Sequence, residues 1–180
     1  MKDLLHRLGF SFKKPKVVPG KSDEQKQEEF IKFYEELKDS LSEGEKIYFA
    51  DGAHPHHNNS PSYGWIKKGE EKEILTNSGR ERVNLNGAIC LDELEVIVKQ
   101  EPTINQDAMV KLLEKLREVN PEFQKIYVVL DNAPYNRAYW VRFFAHSLNI
   151  ELLYLPPYSP NLNIIERLWK FFYKKVKNNK

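Results

Sequence analysis

Three acids stand where a backbone can hold them still. Asp51 ends the apolar run KIYFAD, and Asp131 ends the run IYVVLD. Glu166 lies inside a helical pattern that opens from the Pro-rich turn LPPYSPNLN. Residues 132 to 165, 34 in all, separate the second acid from the third. Carboxylates are hard oxygen donors, and such a set suits magnesium or manganese rather than zinc. Three of them, two on strand ends and one on a helix, can hold two divalent cations against a phosphodiester. In an open α/β sheet, ligands gather beyond the carboxyl ends of the strands. If the strands of Asp51 and Asp131 are adjacent and parallel, the two acids lie about 5 Å apart. They then repel, which raises one pKa unless a cation sits between them. The ordinary readings are solvated turn aspartates for Asp51 and Asp131, and a dipole-complementing helix-start glutamate for Glu166.

Other residues could serve such a centre. His54, His56 and His57 follow Asp51 in DGAHPHHNN. They could contact phosphate or a water near the cations, bind zinc or copper, or line a polar loop. Asn132, next to Asp131, can orient the groups around a cation or serve as a turn residue. Trp65 with Lys67 and Lys68 reads as a strand with a basic tip, suited to a DNA backbone or to a plain hairpin. Residues 167–180 carry Arg167, Lys170, Lys174, Lys175, Lys177 and Lys180 and no acid. Residues 1–21 carry six basic residues against Asp3 alone. The formal net charge is only +2, so the two basic ends, not the total, suit a polyanion. From this set Lys67, Lys68, Arg167, Lys170 and Lys174 are read as DNA contacts, with His54 and Asn132 supporting the acids.

The elements that must position these residues follow from periodicity. Residues 1–21 read as a basic linker remnant: LLHRLGF as the end of a helix, and SFKKPKVVPGK, with two prolines and a glycine amid lysines, as an extended tether. Ser22 to Gly44 reads as an amphipathic helix, with a Ser22–Gln25 capping box and an apolar stripe of Phe30, Phe33, Tyr34, Leu37 and Leu41. Residues 46–51 alternate so that Ile47, Phe49 and Asp51 share a face. Residues 63–69, 83–91 and 94–100 read as further strands, 105–119 as a helix, and 126–131 as a strand buried on both faces. A helix over 138–148, a strand over 150–155 and a helix over 162–176 complete the chain. The last is capped by Ser159 or Asn161 and buries Ile165, Leu168, Phe172 and Val176. Strands followed by β-α-β-α predict an α/β fold, a mixed sheet with helices on its faces. This is the order of the ribonuclease H-like fold. Residues 45–180 form its catalytic domain in this reading.

Composition narrows the class. At 180 residues, the chain fits one domain with a small appendage. It has no run of eighteen apolar residues, and the start MKDLLHRLGFSF lacks a signal-peptide pattern. A single cysteine, Cys90, in the apolar run AICL, excludes an internal disulfide framework and reads as a packed core thiol. The expected compartment is therefore the cytoplasm, near the nucleoid, with no membrane partner.

The pieces YFADGAH, SYGWIKKG, NLNGAI, VVLDNAPYN and LPPYSPNLNIIERLWKFF together resemble a known family. The chain looks like the catalytic domain of a DDE transposase of the mariner superfamily, in the bacterial insertion-sequence branch. Ile164 stands where that family often has proline. The resemblance implies that Asp51, Asp131 and Glu166 hold two Mg2+ or Mn2+ ions. It also implies cleavage at transposon ends followed by strand transfer into target double-stranded DNA, by a homodimer. No covalent enzyme intermediate is needed, so Ser159, Tyr135 and Tyr158 take no nucleophilic role. The family's N-terminal helix-turn-helix domain is expected to be missing, with a separately encoded part supplying it. Two alternatives remain beside this reading. One is a truncated remnant that binds DNA without transposing. The other is a structure-specific nuclease of the same fold.

Overall fold

The computed structural model describes residues 2–9, 23–55, 68, 69, 73 and 83–177. The predicted strand over 63–69, with Trp65 and Lys67, lies largely outside these residues, as do His56, His57, Ser22 and most of the predicted linker.

The alternating run at Glu45–Ala53 forms β1, the central strand of a five-stranded sheet. On one side it pairs antiparallel with β2 (Asn84–Cys90), which pairs antiparallel with β3 (Val96–Glu101). On the other side it pairs parallel with β4 (Lys125–Leu130), which pairs parallel with β5 (Ile150–Tyr154). The order is β3-β2-β1-β4-β5, and the sheet is mixed, as the sequence predicts. The parallel pairs need crossovers, supplied by α3 (Gln106–Val119) and α4 (Tyr139–Ser147). Ahead of the sheet lie α1 (Lys2–Arg7) and α2 (Glu24–Ser40), and α5 (Ile165–Lys177) closes the chain.

Period-two alternation splits the core in two. Tyr48, Ala50, Val128 and Leu130 point into a cluster with Met109, Leu112, Leu116 and Val141 of α3 and α4. Ile47, Phe49, Tyr127 and Val129 point the other way, against Ile165 and Trp169 of α5 and Tyr34 and Leu37 of α2. Cys90 is buried in the first cluster. Each cluster removes a row of large apolar side chains from water, the dominant favourable term in folding.

Several boundaries differ from the sequence reading. The cap of α2 is Asp23, whose carboxylate accepts the Lys26 N–H at 3.2 Å. The helix stops at Ser40 rather than Gly44: Leu41 is already extended (φ −60°, ψ 134°) and its N–H reaches back to the Lys38 carbonyl. Phe33 does not join the buried stripe and is 45% exposed. The final helix starts at Ile165, not 162. Residues Pro160–Leu162 form a separate 3-10 turn, and the Ser159 hydroxyl donates to the Pro157 carbonyl instead of capping. Asn161 donates to Gln27 and caps nothing either. Trp169 is the buried centre of α5, while Phe172 is only half-buried. The side chain of Val176 lies outside the described residues.

Candidate active site

The alternation that sends Ile47 and Phe49 toward α5 carries on to Asp51. The same parity on β4 carries Tyr127 and Val129 on to Asp131. Phe49 pairs with Val129 in the parallel register, so two residues further along each strand the acids stand side by side. Asp51 sits inside β1, paired with β2, and Asp131 directly follows the last residue of β4, both on the face that α5 covers.

Glu166 arrives from α5, and a glycine sets how close it comes. Gly87 is the cross-strand partner of Asp51. The Trp169 ring occupies the space where a Gly87 side chain would lie. A Cβ there would sit 2.8 Å from Trp169 Cη2 and 2.9 Å from Cζ2. Trp169 follows Glu166 by one helical turn, so seating this ring on β2 brings Glu166 over Asp51.

The three acids line one cleft of about 250 Å3 together with Asn132, Ala133, Tyr158, Ser159 and Asn163. Among the described residues, no three Asp, Glu, His or Cys side chains converge on a single ligating point. The acids ring the cleft instead. Burial pushes the Asp51 carboxyl up to about 7, and the negative charges of Glu166 and Asp131 push the same way. The Gly52 backbone N–H, donating to that carboxylate, pulls it down. Tyr135 feels the same field: burial first, then Asp131 and Asp51, raise its hydroxyl to about 12.

Asp131 is held on two sides. Its Oδ1 accepts the Ala133 N–H at 3.0 Å and the Asn136 side-chain amide at 2.7 Å. Asn132 ties the ends of the strands together, donating to the Leu155 carbonyl and accepting from Arg137 Nε at 3.1 Å. Tyr158, in the loop after β5, has φ of 57°. This left-handed conformation is disfavoured for a bulky residue and is typical of functional loops.

The remaining candidates are spread out. His54 is exposed, and its Nδ1 lies 2.8 Å from Asn84 Oδ1. The Asn84 amide nitrogen donates to the Pro102 carbonyl at 2.6 Å, so Asn84 Oδ1 is the acceptor and His54 Nδ1 carries the proton. Its backbone lies against Tyr173, two turns along α5 from Glu166. Arg167, Lys170 and Lys174 are exposed on α5, and Lys68 is exposed in a turn. Sequence reasoning missed Asn136, Asn163 and Gly87. Each sits inside a motif quoted above, VVLDNAPYN, LPPYSPNLN or NLNGAI, but nothing in its local pattern says which partner it meets.

The donor set fits a hard divalent cation. It offers three carboxylates around one cleft and a buried amide oxygen of Asn163 with no donor.

Residues 46–180 match the family described as "DDE superfamily endonuclease". The chain belongs to that family. Residues 1–34 also match a winged helix-turn-helix family, where the sequence reading placed only a linker and the start of α2. The DDE chain is 22% identical over 161 residues to the "Insertion element IS630 uncharacterized 39 kDa protein" of Shigella sonnei, covering 87% of this chain and 46% of that one. It thus spans about half the length of that curated relative. Its fold is shared with the Mos1 mariner paired end complex with Mn, with a TM-score of 0.71 and 19% identity over 99% of this chain and 57% of that one. The isolated catalytic domain of Mos1 mariner transposase gives a TM-score of 0.59 and 18% identity, over 89% and 76%. The ribonuclease H-like architecture of this DDE domain is therefore established.

Proposed function

We propose that this chain carries the catalytic centre of a DNA transposase, cutting and rejoining phosphodiesters with two divalent cations, Mg2+ or Mn2+. The observation that supports it most is the gathering of Asp51, Asp131 and Glu166 around one cleft, from β1, β4 and α5. Bound there, the cations would activate an attacking hydroxyl and stabilise the leaving oxygen. Asp51 stands between the other two acids electrostatically, and Asp131 and Glu166 would complete the two sites. Asn136 and the Ala133 N–H keep the Asp131 carboxylate from rotating. The exposed Arg167, Lys170 and Lys174 extend along the helix that carries Glu166, and would hold DNA phosphates by charge.

The Mos1 structures are complexes of paired transposon ends, which supports double-stranded DNA as the partner and a dimer as the working unit. The similarity of residues 1–34 to a winged helix-turn-helix supports end recognition on the N-terminal side, completed by a further part of the same or a separate chain. The work would take place at the nucleoid.

Strand transfer separates this reading from a nuclease of the same fold. A labelled duplex with a recessed 3′-hydroxyl, taken from the DNA flanking the coding region, is incubated with supercoiled plasmid and Mn2+. Joining of label to plasmid, lost in Glu166→Gln, is the expected result. Nicking without joining would favour the nuclease, and binding without either would favour a remnant.

A further inference from the structure

We infer that Asn163 is a positioning residue of the acid centre, spacing Asp51 from Glu166 and offering its side-chain oxygen to the hydration shell of a bound cation. This rests on the cation-binding reading of the same cleft. Asn163 is 4% exposed and lies between the 3-10 turn and α5. Its Nδ2 donates to the carbonyl of Ala50 at 3.2 Å, the residue just before Asp51. Its backbone carbonyl accepts the Glu166 N–H at 3.2 Å. One residue therefore grips the strand of the first acid with its side chain and the backbone of the third with its main chain.

The Ala50 bond fixes the amide orientation, because a carbonyl needs a donor and Oδ1 is not one. That leaves Asn163 Oδ1 buried with no hydrogen-bond partner. A buried polar atom without a partner carries a desolvation penalty, and such orphans in native folds call for an explanation. Asn163 lines the cleft with Asp51, Asp131 and Glu166, so hydration water of a cation held by those acids is the donor that the site lacks. Groups that steer what surrounds a metal commonly change its affinity by about 10–100-fold when removed.

The test uses the full chain and Mn2+ alone as the probe. Mn2+ binding is titrated by calorimetry for the wild type, Asn163→Ala, Asn163→Asp and the control Asn161→Ala, with thermal unfolding in chelator run beside it. The expected result is Mn2+ binding weakened about 10–100-fold in Asn163→Ala. The Mn2+ concentration for half-maximal plasmid nicking should rise by the same factor, with DNA affinity unchanged. Asn163→Asp keeps the acceptor oxygen and loses the donor to Ala50, so it should hold Mn2+ better than Asn163→Ala but less tightly than the wild type, with a lower melting temperature. Folded Asn163→Ala with wild-type Mn2+ affinity would reduce the residue to a structural tether and overturn the inference. So would folded Asn163→Asp that loses as much affinity as Asn163→Ala, or a wild type that binds no Mn2+. A wild type whose Mn2+ binding depends on Asn163 but which never cuts DNA would sink the transposase proposal and leave this inference standing.

Discussion

Replacing Asp51 by Asn should stabilise the metal-free protein while abolishing its chemistry. The Asp51 carboxyl is raised from 3.8 to about 7 by burial and by Glu166 and Asp131. A raised folded-state value means that the folded protein holds this proton more tightly than the unfolded chain does. The corresponding stability is fully present below about pH 4 and is lost as pH rises through about 7. Roughly 3 pH units at 1.36 kcal/mol each give about 4 kcal/mol of strain from ionised Asp51 at pH 8. The carboxyl is only partly shielded on its cleft side, so about half of that, ~2 kcal/mol, is the working magnitude. An asparagine keeps an acceptor for the Gly52 N–H and gains an amide that Glu166 or Asp131 can accept. For a chain of this size, ~2 kcal/mol corresponds to a rise of about 4–8 °C in Tm. The assay is thermal unfolding in chelator, wild type against Asp51→Asn, at pH 8 and pH 5. At pH 5 the gain should shrink to roughly a third. Added Mg2+ should raise the Tm of the wild type at pH 8 and leave Asp51→Asn nearly unchanged. No stabilisation at pH 8, or a gain of equal size at pH 5, would refute the argument that mutual repulsion and burial load this carboxylate.

Gly87→Ala puts a Cβ 2.8 Å from the Trp169 ring. Moving α5 aside should lower stability by about 1–3 kcal/mol, measured by urea unfolding, and lower nicking further than the stability loss explains. Asn136→Ala removes the 2.7 Å bond to Asp131, and metal-dependent nicking should fall about 10–100-fold. Lys46→Met tests the opposite end of β1, where the buried ammonium contacts Glu93 at 2.7 Å, Glu95 at 2.9 Å and Asn120 at 3.0 Å. Its loss should lower stability by about 1–3 kcal/mol and leave nicking per folded molecule unchanged.

The acids were legible because each is written into its own element. Asp51 and Asp131 close apolar runs, although β1 itself continues beside β2 to Ala53, and strand parity places them on one face. Glu166 falls in the first turn of a helix that opens after a Pro-rich turn. The mixed sheet with helices on its faces was legible from the succession of strands and helices, while the strand order came only with the structure. What stayed hidden depends on contacts between distant segments. The Asn163–Ala50 bond joins residues 113 apart in sequence. Gly87 looks like any strand glycine until Trp169 is seen lying on it. The period anchored on Ile165, Leu168 and Phe172 leaves Trp169 out of the buried stripe, yet it is buried. The glycine lets the larger ring in, and that rotates the buried face. The end of α2 was misjudged for a similar reason. Gly44 resembles a helix terminator, but the chain turns extended already at Leu41, whose side chain packs against the sheet's second core cluster.

The most direct test of the acid centre is nicking of supercoiled plasmid with Mg2+, Mn2+ or chelator, comparing the wild type with Asp131→Ala and Glu166→Ala. Cleavage that needs the divalent ion and disappears in both variants, while their unfolding curves stay cooperative, is the predicted result. Cleavage that persists in chelator, or survives both substitutions, would contradict it.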